Sequence, residues 1–296
     1  MKYERIIRAM TNEVWAILPS KLEEIIGVME ARVNGVAIDA DKLLEIEAAR
    51  RKPVRNGSVA VLPLFGTISH RAGSIESSFG TSSEQFGRDF DALMDSPEVG
   101  GIVMDIDSPG GTAFGLDEVT TKIRNRRGEK PIVAVANAGV FSAAYWIATS
   151  ADELVVTPSG MVGSVGVVAI HVDQSELDDK VGLKPTFIHA GKHKVEGHPH
   201  APLEDEARAE IQKHVDMFHD KFVAGLAKNR NTTETRVRND FGGGRVFGAK
   251  EAIERNMANR VATLEQIVSE MTGTLKPRRS TRAAAERRRL EANRVI

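Results

Sequence analysis

The chain has 296 residues, 41% of them hydrophobic and 27% charged, with a formal net charge of −1 and no cysteine. This is the composition of a globular protein large enough for a full core, and the charge balance excludes polyanion binding over the whole surface. The missing cysteine excludes a disulfide framework, a thiolate metal site and a cysteine nucleophile.

Residues 1–52 read as a helical, peripheral extension. Met1-Lys-Tyr-Glu-Arg-Ile-Ile7 places charges where a signal peptide has its apolar region. Leu22, Ile25, Ile26 and Met29 recur at helical spacing, and Leu43, Leu44, Ile46 and Ala49 predict another helix. The basic stretch Arg50–Arg55 marks a boundary. A core domain is expected over residues 53–272 and a tail over 273–296. No apolar run reaches the roughly 18–20 residues of a membrane span, so the expectation is a soluble protein that is not exported.

The core opens on a predicted strand, Val59–Phe65, followed by a Ser- and Gly-rich loop and a helix using Phe86, Phe90, Leu93 and Met94. A buried strand at 101–105 runs into Asp107-Ser-Pro-Gly-Gly-Thr112. A helix then places Leu116, Val119 and Ile123 inward. Strand 131–136 leads into a small-residue helix that begins after Ser142. Further strands are expected at 154–156, 165–169 and 185–188, with a helix near 177–181. A long amphipathic helix over 204–228 carries Ile211, Val215, Phe218, Phe222 and Leu226 on one face, for core packing or a subunit contact. A strand or turn and two helices follow over 246–271. Strands alternating with helices predict an α/β fold with a largely parallel sheet, whose ligands lie beyond the carboxyl ends of the strands. Asp107–Thr112 and Gly139–Ser142 both lie there.

Residues 276–296 hold eight Lys or Arg and two Glu. They read as a solvated tail or as an electrostatic contact with an acidic protein surface or nucleic acid.

Ser142, at a strand-to-helix turn, has two readings. One is an ordinary helix N-cap. The other is a nucleophile beside helix N–H groups that lack intrahelical partners. Acyl transfer also needs an oxyanion site and a base. Gly110-Gly111 offers a backbone that can approach a carbonyl, or a simple tight turn. With two donors, the N–H groups of Gly111 and Ala143 are the candidates. None of the eight histidines lies in a motif that announces a triad. Lys192 and Lys194 offer a lysine base, which needs a lowered pKa, or are simply solvated. His193, His198 and His200 match no strong metal-ligand spacing, and no metal or cofactor is expected.

Asp107-Ser-Pro-Gly-Gly111, Phe141–Asp152, Gly163-Ser-Val-Gly-Val167 and Ala190-Gly-Lys-His-Lys-Val195, in that order, resemble the signal peptide peptidase A (SppA-like) family over roughly residues 57–260. The resemblance implies a ClpP/crotonase-like fold of repeated β-β-α units and a Ser-Lys protease. Ser142 matches the nucleophile, Lys194 the general base, Ser164 a serine that orients the lysine, and Gly111 an oxyanion glycine. Gly191–Pro199 and Leu203–Arg208 are similar to the capsid-assembly proteases of lambda-like tailed phages. This implies scaffold, portal or capsid proteins as substrates, a ring- or dome-shaped homo-oligomer, and action within the assembling procapsid in the host cytoplasm. Met257-Ala-Asn-Arg-Val261 departs from the Gly-Leu-Val-Asp-like stretch common in the family. The rival readings are a bacterial signal-peptide-degrading peptidase, a crotonase-like acyl-CoA enzyme and a non-enzymatic scaffold component.

Overall fold

Alternating apolar residues on the central strands face two different helical layers, and this fixes the architecture. A computed structural model describes residues 14–23, 52–71 and 80–275. In chain order these form β1 (Trp15–Ile17), β2 (Val54–Asn56), β3 (Val59–Phe65), β4 (Thr67–Ser69), β5 (Gly80–Ser82), α1 (Ser83–Asp95), β6 (Gly101–Ser108), β7 (Gly110–Thr112), α2 (Leu116–Asn125), β8 (Ile132–Phe141), α3 (Ala143–Thr149), β9 (Glu153–Val156) and β10 (Met161–Gly163). The remainder gives α4 (Ser175–Lys180), α5 (Asp205–Asn229), α6 (Glu234–Asp240), β11 (Val246–Gly248), α7 (Ala249–Glu254), β12 (Arg260–Val261) and α8 (Leu264–Thr274).

The larger sheet runs β11-β10-β8-β6-β3-β2, with β9 also on β8 and β12 on β9. Its centre, β3-β6-β8, is parallel. Ile102, Met104, Ile106, Ala134 and Ala136 face a large core built with residues of α1, α2, α3 and α5. Val59, Val103, Val133, Val135 and Val155 face the other way, against Ile267 and Met271 of α8. Both faces are covered, which is why these strands read as continuous apolar runs. At Gly101 an added Cβ would sit 2.6 Å from the Met271 side chain, so the missing side chain lets α8 lie close. A second sheet runs β1-β7-β4-β5.

The expected α/β class with a parallel sheet is present. Three local expectations are corrected. Residues 165–169 form no strand of their own, and only Val168 makes a β-bridge, to Trp15. Residues 185–188 are exposed, Ile188 at 98%, and without a ladder they stay irregular. Trp15–Ile17, inside the expected helical extension, is a strand. Most of that extension and residues 276–296 lie outside the described residues. No helix of the described residues is long and apolar enough to cross a membrane.

Helix α3 is fixed from several directions. Trp146 stacks on Phe222 of α5 with ring centroids 5.1 Å apart. Gly225, where a Cβ would meet the indole Nε1 at 2.3 Å, lets α5 come that close. Arg127 donates to the Thr149, Ser150 and Asn229 carbonyls at the ends of α3 and α5, and burial pulls its pKa down. The buried Tyr145 hydroxyl donates to the Met257 carbonyl at 2.8 Å, and its pKa is raised by desolvation. Tyr145→Phe leaves that carbonyl without its donor. The expected cost is about 1–2 kcal/mol, read as a lower urea midpoint with unchanged slope.

Candidate active site

Strand β8 carries its chain between β6 on one side and β9, then β10, on the other. The β6 register shifts between Ile106 and Ser108, and Ala138 in β8 has φ of 105°. Polar groups stabilise the irregularity. Asn137 donates to the Asp105 carboxylate at 3.0 Å, and the Gly139 N–H donates to Asp107 at 3.1 Å. The bend delivers the chain to Ser142.

Ser142 has φ 52° and ψ −116° and is fully buried. A non-glycine residue in such a conformation costs about 1–3 kcal/mol and persists only where its surroundings enforce it. Here its N–H donates to the Gly163 carbonyl at 2.8 Å and its carbonyl accepts from the Trp146 N–H at 3.0 Å. The side chain makes no capping bond to α3. This removes the N-cap explanation. The hydroxyl instead approaches the Gly166 carbonyl at 3.4 Å, a long contact.

Two loops converge on this turn. The first is Ser108–Thr112. The Ser108 hydroxyl donates to the Gly66 carbonyl at 2.6 Å and accepts from the Gly110 N–H at 3.2 Å. Gly110 has φ of 97°, and a Cβ there would lie 3.0 Å from the Phe141 carbonyl oxygen and 3.1 Å from the Ala143 nitrogen. At Gly111 an added Cβ would sit 1.8 Å from the Ile68 carbonyl oxygen of β4. Neither position accepts a side chain. The second loop is Gly163–Gly166. Buried Ser164 has φ of 56°, and its N–H donates to the Arg245 carbonyl at 2.7 Å. The structure therefore brings Ser142, Ala143, Gly110-Gly111 and the Ser164 loop together.

Lys194 lies elsewhere. It is exposed, in a turn closed by its own N–H to the Gly191 carbonyl at 3.2 Å, and among the described residues its amine has no partner. No hydrogen bond joins it to Ser142. Lys192, the other candidate, pairs with Glu206 at 3.0 Å. Three of the histidines, His171, His198 and His200, cluster with one another and with Asp178. Buried His200 bonds Asp178 at 2.6 Å, and His171 bonds the His198 carbonyl. His198 is pushed below its ordinary pKa by burial and then by its neighbours His200 and His171. His193, Glu196 and Glu206 come together at the surface, where Lys192 already neutralises Glu206.

Residue-pattern reasoning missed the strand Trp15–Ile17, which pairs with Gly110–Thr112. The available signal was the five-residue apolar run Val14–Leu18, too short to be read against the helical pattern that follows it.

Gly110→Ala tests the fit of the first loop. The φ and the contacts predict a loss of about 1–3 kcal/mol in stability and a lower melting temperature. A wild-type melting curve contradicts the close approach.

Comparison with known proteins gives a consistent picture. Residues 124–276 match the model of peptidase family S49. The head-tail preconnector protein GP5 of Enterobacteria phage P21 is 30% identical over 270 residues, 85% of this chain and 53% of that protein. The capsid assembly protease C of Escherichia phage lambda is 30% identical over 234 residues, 78% and 52% of the two chains. The chain thus spans about half the length of these relatives. A ClpP1 mutant from Listeria monocytogenes superposes with a TM-score of 0.43 and 14% identity, covering 70% of this chain and 94% of its own. By the match over residues 124–276, which includes Ser142, Ser164 and Lys194, the chain belongs to peptidase family S49.

Proposed function

We propose that this chain is a serine endopeptidase with a Ser-Lys dyad that processes scaffold, portal or capsid proteins during phage head assembly. The observation that carries the chemistry is the Ser142 turn: a buried serine held at positive φ, with no capping role and next to the Ala143 N–H. Strain enforced by neighbours at a polar residue is typical of functional sites. Membership of a peptidase family and two phage relatives, one of them a capsid assembly protease by name, support the substrate class.

In this reading neutral Lys194 takes the Ser142 proton as the oxygen attacks a peptide carbonyl. The N–H groups of Gly111 and Ala143 hold the resulting oxyanion, and Ser164 orients the lysine amine. Lys194 returns the proton to the leaving amine, and water activated by the same lysine releases the acyl group. A lysine serves as base only where an apolar surrounding disfavours its ammonium form. Exposed Lys194 gains such a surrounding on docking against the Ser142 cleft of a neighbouring copy, so the reading includes a homo-oligomer with the dyad paired across subunits.

Ser142→Ala and Lys194→Ala are each expected to lower peptide cleavage by roughly four orders of magnitude while circular dichroism stays unchanged. The measurement is mass spectrometry of the protein incubated with a candidate scaffold or capsid protein. Full cleavage by a folded Lys194→Ala chain overturns the dyad. Mixing the two inactive variants tests the pairing. If serine and lysine come from adjacent copies, the mixed oligomers regain a fraction of wild-type activity; with pairing inside one chain, the mixture stays inactive. Light scattering checks the assembly, and a strictly monomeric active enzyme contradicts it.

A further inference from the structure

We propose that Val14–Leu18 is an internal occupant of the peptide-binding cleft beside Ser142, and that it displays the pattern the cleft selects: an extended apolar strand with a small residue at the position of Ala16. The inference rests on the peptidase reading for its substrate, but its occupancy rests on backbone geometry alone.

Strand β1 is bonded along both edges, as a peptide captured between two strands is. On one edge Trp15 and Val168 exchange both backbone hydrogen bonds, each 2.8 Å. On the other, the Leu18 N–H donates to the Pro109 carbonyl at 2.8 Å and the Ala113 N–H to the Val14 carbonyl at 2.9 Å. Antiparallel bonding alternates, so the intervening pair, Ala16 and Gly111, exchanges both of its bonds. The Gly111 N–H, one of the two candidate oxyanion donors, is therefore given to the Ala16 carbonyl.

The position of that carbonyl is the second observation. A Cβ added at Gly110 would lie 2.3 Å from the Ala16 oxygen and 3.1 Å from the Ala143 nitrogen. The Ala16 carbonyl thus sits at the meeting point of Gly110, Gly111 and Ala143, where a scissile carbonyl has to sit. While it is there, an incoming peptide finds no free edge and Ser142 is fully buried.

Side chains fit the same account. Trp15 and Ile17 point to one face and pack with Leu22, Val168 and Ile170 in a small cluster separate from the main core. Ala16 points to the other face, into the main core. A displacing substrate takes over these places: large apolar groups at the positions of Trp15 and Ile17, a small one between them.

Three measurements on the full chain test this. First, Ala16→Pro removes the N–H that Gly111 accepts. A quenched-fluorescence peptide carrying residues 13–20 is then expected to be cleaved with kcat/KM at least ten-fold above the unsubstituted chain. Second, in the Ser142→Ala background, the same peptide labelled with fluorescein should bind the Ala16→Pro chain and bind the Ala16 chain at least ten-fold more weakly. Third, amide hydrogen exchange of the unsubstituted chain should show Trp15, Gly111 and Val168 opening together, at least ten-fold faster than Val103 and Ala134. Binding without cleavage sinks the peptidase reading and leaves the occupancy standing. Equal peptide binding with and without Ala16→Pro, or exchange of Trp15, Gly111 and Val168 only together with Val103, makes β1 a fixed strand and overturns the proposal. If Ala16→Pro does not fold, the exchange measurement decides alone.

Discussion

The close backbone approach at Gly110-Gly111 is the constraint on which the site depends. Strand β7 lies between β1 and β4, and a single added carbon at Gly111 would meet a β4 carbonyl at 1.8 Å. At Gly110 the same addition would meet carbonyls of Ala16 and Phe141 and the Ala143 nitrogen. Only a chain without side chains at these two places brings the second sheet against the turn that carries Ser142. The small sheet and the start of α3 are thereby locked into one arrangement.

Ser142 is held from the opposite side by Gly163–Gly166, whose own placement depends on the Arg245 carbonyl and on β10–β11 pairing. Behind it, α3 is anchored by the Trp146–Phe222 stack, the Tyr145 bond to Met257 and the Arg127 clasp on its last carbonyls. The strain at φ 52° is distributed over these supports. Removing one loosens the turn without unfolding the parallel sheet, whose stability comes from burial on both faces. This separation lets a strained turn coexist with a stable scaffold.

The lysine poses a different physical problem. Lys194 is exposed in this chain, and a lysine base calls for an apolar surrounding that a docked neighbour would supply. The proposed function assigns the Ser142 half of the chemistry to one chain and the Lys194 half to a neighbouring copy. The same logic applies to Val14–Leu18. A cleft left open would expose two unpaired strand edges, which invite unwanted pairing. An internal strand covers them until a better-fitting peptide arrives.

Strand alternation, the glycine pair and the polar residue at the strand-to-helix turn were legible in the sequence because each is a local rule. Val103 and Met104 must face opposite sides, and Pro-Gly-Gly must turn. The presence of α1 and α2 and the span of α5 followed from apolar spacing for the same reason. Residues 165–169 and 185–188 misled because an apolar run becomes a strand only when a partner edge exists, and pairing is non-local. The sequence by itself determined the α/β class with its largely parallel sheet and set the glycine pair and Ser142 just beyond strand ends. Only the tertiary structure decided that Ser142 is strained and uncapped, that Lys194 is exposed and makes no hydrogen bond to it, and that Trp15–Ile17 pairs as a strand with Gly110–Thr112. Backbone torsion and strand pairing depend on contacts between segments far apart in the chain, and no local pattern encodes them.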